Sequence, residues 1–340
     1  MKAFLSVCCL IGLAMTGFGQ TNGARNSAAF SDEEVVIRRD GYQLAGTLSL
    51  PRGSRRPAPA VILITGSGQQ TRDEAIPIPG LENYRPFRQI AEHLAARGIA
   101  VLRVDDRGMG GSTGKETIAA ATTSSFADDV RAEVAYLRGR REIDPNRIAL
   151  VGHSEGGSMA MMIAATDARI RAVVLMAAMG KTGREVNLAQ QEEALAQATT
   201  LTEERKNELR AEQRRILETI IEGGDTSHLP PQARQFLPWF REFLLFDPQA
   251  AMRRVRQPVL ILQGELDRQV TADQATLLER AARESGNRDV TLSVLPGLNH
   301  LFLPARTGAW SEYPTLTITS LSTELLNALG VWLEARLNRS

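Results

Sequence analysis

The stretch RIALVGHSEGGSMAMMIAA, residues 147–165, passes from an apolar, strand-like segment through a glycine-flanked serine into an apolar, helix-like one. Gly152 and Gly156 stand two residues before and two residues after Ser154. A strand that turns sharply into a helix forces the residue at the turn into a strained backbone conformation and crowds these flanking positions. Glycines there let the hydroxyl project, whereas a serine that only capped the helix would need no small residue before it. A G-x-S-x-G pattern alone arises by chance, so the strand, turn and helix around it carry the reading.

The rest of the chain supplies the same alternation. EVVIRR and YQLAGTLSL flank Asp40-Gly41, a dipeptide that favours a tight hairpin turn. Short runs rich in Val, Ile and Leu follow: AVILIT (60–65), IAVLRV (99–104), RIALV (147–151), AVVLMAA (172–178), PVLILQ (258–263) and VTLSVL (290–295). Near-continuous apolar strands suit a sheet covered on both faces. Between them, Phe87, Ile90, Ala91, Leu94 and Ala95 recur at helical spacing before Gly98. Ser125 with Asp128, and Thr271 with Gln274, fit capping boxes. Leu321, Leu325, Leu329 and Trp332 give a last helix one apolar face. The pattern predicts an α/β fold, a mostly parallel sheet flanked by helices.

One interval breaks the alternation. Residues 181–256 contain no convincing strand and read as a helical cap insertion, with a charged helix over 203–222 ended by Gly223. A second segment there holds Phe236, Trp239, Phe240, Phe243 and Phe246, with Pro238 where a helix starts. These rings either dock the insertion or line an apolar acyl pocket beneath it.

Composition bounds the function. The 340 residues are 43% apolar, and 40 basic against 39 acidic side chains leave a formal charge of +1. Without a basic block, nucleic acid is not an expected partner. Residues 1–19 combine Lys2, an apolar run and Gly17 and Gly19, as a secretory signal does; export to the periplasm or medium and no stable membrane insertion after cleavage are expected. Residues 20–31 read as a mobile lead into a single domain over 32–340. Both cysteines, Cys8 and Cys9, lie in the leader, so the mature chain would hold no disulfide, thiol nucleophile or cysteine-bound metal.

A serine nucleophile needs a base, itself held by a third group. Of the four histidines, His93 belongs to a helix and His228 to the insertion, and the His153 side chain is expected to leave the turn in another direction. His300 follows the last strand, where a loop leans over the sheet edge. The loop GELDRQV offers Glu265 and Asp267, with Asp273 beyond it in the first turn of a helix, where an acid has a structural explanation. The loop position selects Asp267. The amides of Ser67, in the glycine-rich loop after AVILIT, and of Glu155, after the nucleophile, are the candidate oxyanion donors. Asp105, Asp106 and Arg107 read as an ion-paired brace, and Arg72 and Asp73 as a surface turn within reach of substrate.

The segments GSGQQTRDE (66–74), RVDDRGMGGSTG (103–114), GHSEGG (152–157), GELDRQV (264–270) and GLNHLF (297–302) together resemble bacterial α/β-hydrolases of the carboxylesterase type, in the group also labelled serine aminopeptidase-like or dienelactone-hydrolase-like. The resemblance spans about 34–340 and implies a Ser154, Asp267, His300 triad that hydrolyses short-chain esters without cofactor or metal. The chain departs from dienelactone hydrolases proper in having serine rather than cysteine as nucleophile. Thr65 replaces the histidine common before the oxyanion glycine. Two alternatives follow: a serine aminopeptidase binding an amino group through Glu192, Glu193, Glu203 or Glu204, and a binding protein that has lost catalysis on the same fold.

Overall fold

Asp40-Gly41 makes the first turn of the fold. In the computed structural model, which describes residues 28–53 and 57–338, strands β1 (Phe30–Arg38) and β2 (Gln43–Pro51) pair antiparallel across it. Gly41 takes φ +81°, and the Arg39 amide closes the turn on the Tyr42 carbonyl at 2.9 Å. The strand begins at Phe30, inside the stretch expected to be mobile, because Phe30 pairs with Pro51. The proposed leader, residues 1–19, lies outside the described residues.

Six further strands complete one sheet: β3 (Ala58–Ile64), β4 (Ala100–Val104), β5 (Ile143–His153), β6 (Ala172–Met176), β7 (Val259–Gly264) and β8 (Val290–Leu295). Their order is β1-β2-β4-β3-β5-β6-β7-β8, parallel from β4 to β8. Strands β3, β4, β6 and β7 are buried throughout, as continuous apolar runs require. At the edge, β8 leaves Val294 exposed.

Alternate side chains feed two cores. Ile62, Ile64 and Leu150 pack with helices α2 (Thr123–Arg138), α3 (Glu155–Ala164) and α9 (Ala272–Glu284). Val61, Leu63 and Val151 pack with α1 (Pro86–Ala96) and α10 (Thr323–Leu337) on the opposite face. Gly98 ends α1 in the left-handed region at φ +84°. Two expected caps fall elsewhere. The capping box of α2 is Thr122 with Ser125, one turn before the expected pair. The Thr271 side chain makes no cap bond, and Gln274 instead accepts the Gly180 amide at 3.1 Å.

Between β6 and β7 the chain passes through α4 (Gly183–Gln197), α5 (Glu203–Glu222), the single turn α6 (Pro231–Arg234), α7 (Leu237–Leu245) and α8 (Pro248–Met252). Helix α4 escaped the sequence reading, although its capping box, Thr182 with Glu185, was visible there. Val186, Leu217, Ile220, Phe243 and Leu244 form a separate small core, whereas Met252 and Val255 already belong to the main one. Among the described residues no helix is long and apolar enough to cross a membrane.

The chain leaves β3 toward β4 on one side and returns to β5 on the other, so the sheet order reverses between β3 and β5. Crevices at the carboxyl ends of such strands are where open parallel sheets bind ligands. Gly66 and Ser67 follow one of these strands and Ser154 the other.

Candidate active site

Ser154 sits at φ +53°, ψ −119°, a conformation that L-residues rarely adopt, between the end of β5 and the first residue of α3. The tightness of the turn explains its glycines. A Cβ on Gly152 would lie 2.2 Å from the Gly156 carbonyl oxygen, and one on Gly156 would lie 2.2 Å from that of Ile64. A Cβ on Gly66 would come within 3.3 Å of the Ser154 Cβ, so the loop after β3 lies against the serine. Ser154 is only partly buried.

His300 and Asp267 meet from different loops. Nδ1 of His300 lies 2.8 Å from Oδ2 of Asp267. Asp267 also accepts the Gln269 and Val270 amides at Oδ1 and the Gln263 side-chain amide at Oδ2, each at 2.8 Å. A carboxylate can only accept, so Nδ1 of His300 is the donor in the bond to Asp267. Gln263, missed in the sequence reading, was signalled there by a polar residue ending a fully buried strand. The other candidate acids are engaged elsewhere: Glu265 accepts the Gly297 amide at 2.9 Å, and Asp273 pairs with Lys181 at 2.7 Å.

Beneath His300 lies a second buried pair. His153 places Nδ1 2.9 Å from a Glu74 carboxylate oxygen and Nε2 3.0 Å from the His300 carbonyl. Both partners are acceptors, so the arrangement suits an imidazolium donating twice. Burial disfavours that charge, but Glu74 and the carbonyl outweigh it and raise the His153 pKa above its ordinary value. Glu74, at φ +53°, also accepts the Gly66 amide at 2.8 Å. It links the loop after β3 to His153, the residue before Ser154. Nothing in the local sequence distinguished it from the neighbouring acids.

As the first residue of α3, Glu155 has a main-chain amide of the kind a helix leaves without an intrahelical partner. Its carboxyl is buried, accepting Thr123 Oγ1 at 2.6 Å and Trp239 Nε1 at 2.9 Å, with the Ser67 hydroxyl as a third donor. Burial raises its pKa, and the three donors counter part of that rise.

Asp105 and Arg107 of the expected brace are ion-paired, whereas Asp106 is held by hydrogen bonds alone. Arg107 is held by Asp129 at 2.8 Å and stacks over the Tyr42 ring at 4.4 Å. Asp106 accepts Thr65 Oγ1 at 2.9 Å and the Gln70 amide at 2.8 Å. Arg72 and Asp73 are not a surface turn. Both are buried, Arg72 paired with Asp105 at 2.8 Å and with Glu34, and Asp73 paired with Arg103. Their neighbours in sequence, Gln69, Gln70, Thr71 and Glu74, are themselves polar and gave no sign that distant partners would draw them inside.

Ser154, Ser67, Glu155 and His300 line one cavity of about 760 Å³. Phe236, Trp239, Phe240 and Phe243 form part of its wall, so rings that dock the insertion also face the serine. His228 lies at the same cavity and is exposed, whereas His93 stands 3.0 Å from Arg97 on α1. Glu192, Glu193, Glu203 and Glu204 are not among the residues lining it. Among the described residues no group of three or more His, Cys, Asp or Glu side chains is arranged to hold a metal ion.

Residues 79–304 match the family described as serine aminopeptidase, S33. The esterase EstD of Thermotoga maritima is 28% identical over 283 residues, which cover 81% of this chain and 61% of that protein. The quorum-quenching protein AidA of Acinetobacter baumannii is 38% identical over 97 residues, 28% of this chain and 32% of its own length. The chain thus spans less than two thirds of these curated relatives. Among solved structures, an esterase of Pyrococcus furiosus superposes with a TM-score of 0.59 at 16% identity, covering 91% of this chain and 92% of that one. Est1E of Butyrivibrio proteoclasticus, solved with ferulic acid bound, superposes with a TM-score of 0.57 at 17% identity, covering 90% and 100%.

Proposed function

Because the chain belongs to the serine aminopeptidase S33 family of α/β-hydrolases, we propose that it is a serine carboxylesterase cleaving short-chain carboxylic esters through an acyl-enzyme on Ser154. In this reading Ser154 Oγ attacks the acyl carbonyl while Nε2 of His300 takes the hydroxyl proton and passes it to the departing alkoxide. Asp267 holds the Nδ1–H tautomer and stabilises the imidazolium that forms. The amides of Ser67 and Glu155 receive the oxyanion, where each donor contributes ~3 kcal/mol to the transition state. Water then enters by the same base and releases the acid.

The observation that carries the reading is the strained Ser154 turn opening into the cavity that His300 also lines, with His300 locked by Asp267. The curated relative named an esterase supports ester over amide chemistry, as does the absence of the insertion's four candidate glutamates from the cavity lining. Export of the mature chain, from a leader over 1–19, is part of the same proposal, and the amino terminus of the secreted protein tests it.

The purified mature chain and its Ser154→Ala variant, given a short-chain aryl ester and an aminoacyl anilide, provide the main test. Ester turnover lost in the variant, with little anilide cleavage, is the expected result. Efficient Ser154-dependent anilide cleavage would make the protein an aminopeptidase. No Ser154-dependent turnover of either would favour a binding protein.

A further inference from the structure

One of the two oxyanion donors stands on a loop with little stiffness of its own. In TGSGQQ, residues 65–70, glycines flank Ser67 on both sides, and Gly68 takes φ +87°. Glycine leaves the backbone many conformations, so what fixes the Ser67 amide has to come from outside the loop. Glu74 takes the Gly66 amide at 2.8 Å, which leaves the Ser67 amide, next along, for the cavity. Asp106, from the loop after β4, takes both ends of the stretch. Its Oδ1 accepts Thr65 Oγ1 at 2.9 Å, its Oδ2 accepts the Gln70 amide at 2.8 Å, and its own amide donates to the Gln70 carbonyl at 3.0 Å. Within the span, Gln70 Nε2 donates to the Ser67 carbonyl at 3.3 Å, so the residue that Asp106 holds is itself bonded to Ser67. The neighbours of Asp106 have other work. Asp105 and Arg107 are ion-paired with Arg72 and Asp129, whereas no cation pairs with Asp106 among the described residues.

We propose that Asp106 is a positioning residue for the reaction on Ser154, clamping residues 65 and 70 so that the Ser67 amide meets the oxyanion. This inference rests on the reading of the Ser67 and Glu155 amides as the oxyanion donors. Such donors act at full strength only when their geometry precedes the charge. A loop ordered only as the charge appears would have to offset its own ordering entropy. Burial moves the Asp106 pKa up to about 8, while the Gln70 amide and the Thr65 hydroxyl work against that rise. Oδ2 accepts the Gln70 amide in either protonation state, and a proton on Oδ1 reverses the Thr65 bond without breaking it. The clamp therefore needs an acceptor toward Gln70 and a polar partner toward Thr65, not a charge. Asparagine meets both needs and alanine neither.

Hydrolysis of para-nitrophenyl acetate by Asp106→Ala and Asp106→Asn, beside the parent protein and Ser154→Ala, tests the assignment. Asp106→Ala should lower kcat by about 10²-fold, the lower end for loss of an oxyanion donor, with KM little changed. Asp106→Asn should recover most of that loss. Phenylboronic acid, whose tetrahedral adduct on Ser154 imitates the intermediate, should inhibit Asp106→Ala more weakly, in step with kcat. Full kcat in a folded Asp106→Ala, a loss confined to KM, an unchanged boronate inhibition constant, or an asparagine variant as slow as the alanine one would overturn the proposal. Should thermal unfolding show that Asp106→Ala does not fold, Thr65→Val, which loses the hydroxyl, and Thr65→Ser, which keeps it, decide instead. A slower valine variant supports the clamp, and equal rates overturn it. Failure of the esterase reading is distinguishable, because it appears in the parent protein as turnover indifferent to Ser154→Ala and would remove this assignment with it.

Discussion

The two walls of the Ser154 cavity are built on different principles. At the sheet edge, backbone meets backbone: one added methyl at Gly156 would stand 2.2 Å from a main-chain oxygen, and Asp267 is surrounded by four donors. Across from it, Trp239 stands 5.8 Å from Phe240 and 5.6 Å from Phe243 between ring centroids. One polar link, Trp239 to Glu155, joins this wall to the Ser154 turn. The first wall tolerates no extra atom, because main-chain oxygens cannot move aside. The second rests on apolar area, where a change of shape is absorbed by neighbouring side chains. In the proposed reaction, geometry accordingly belongs to the rigid wall and the fit of substrate to the compliant one.

Substitutions that grade the two walls test this contrast. The largest effect should come from Asp267→Asn, which presents Nδ1 of His300 with the wrong partner and is expected to lower kcat by roughly 10³–10⁴ with the fold retained. Full activity in this variant would turn attention to Glu265. Gly156→Ala should destabilise the protein by about 3 kcal/mol or more in urea unfolding, since neither the backbone of β3 nor that of α3 has room to yield. Phe243→Leu on the compliant wall should lose only about 1 kcal/mol, and comparable losses at both positions would erase the distinction.

Glu74→Gln belongs between these extremes. Removing the counter-charge of His153 should lower stability by about 2 kcal/mol near pH 6. The sign follows from the raised imidazole pKa. The pair stabilises the fold fully below the unfolded histidine value, about 6.5, and loses that contribution as pH climbs through the folded one. Thermal unfolding of the parent protein should therefore fall with rising pH above 6.5, and Glu74→Gln should flatten that slope. An effect as small as that of Phe243→Leu is expected for Trp239→Phe. It removes one of three donors from the buried Glu155 carboxyl at a loss of about 1 kcal/mol, with thermal unfolding as the measure.

Much of the rigid wall was legible in one dimension. Strand segments declared themselves by continuous Val, Ile and Leu runs, and the glycines around Ser154 by a steric need confined to five residues. His300 and Asp267 were legible because each follows a strand that ends at the same sheet edge. Local pattern failed where a side chain had a choice of partner. Gln274 reads as a helix cap yet bonds the main chain at Gly180, and Arg72 and Asp73 read as exposed yet are drawn inside by Asp105 and Arg103. The aromatic run of the insertion allowed two readings, docking or lining; Trp239, Phe240 and Phe243 do both, whereas Phe236 only lines the cavity and Phe246 only packs against the main core.

What the sequence by itself determined, then, is whatever depends on neighbours along the chain: element type, the strained turn, and the order in which serine, acid and histidine arrive. Only the tertiary structure decided the electrostatic partners. His153 and Glu74 are 79 residues apart, and Asp106 and Thr65 are 41 apart. Steric and periodic constraints act over a few bonds and so are written locally. Burial and charge act through space, and the groups that balance them are brought together only when the sheet and its helices close.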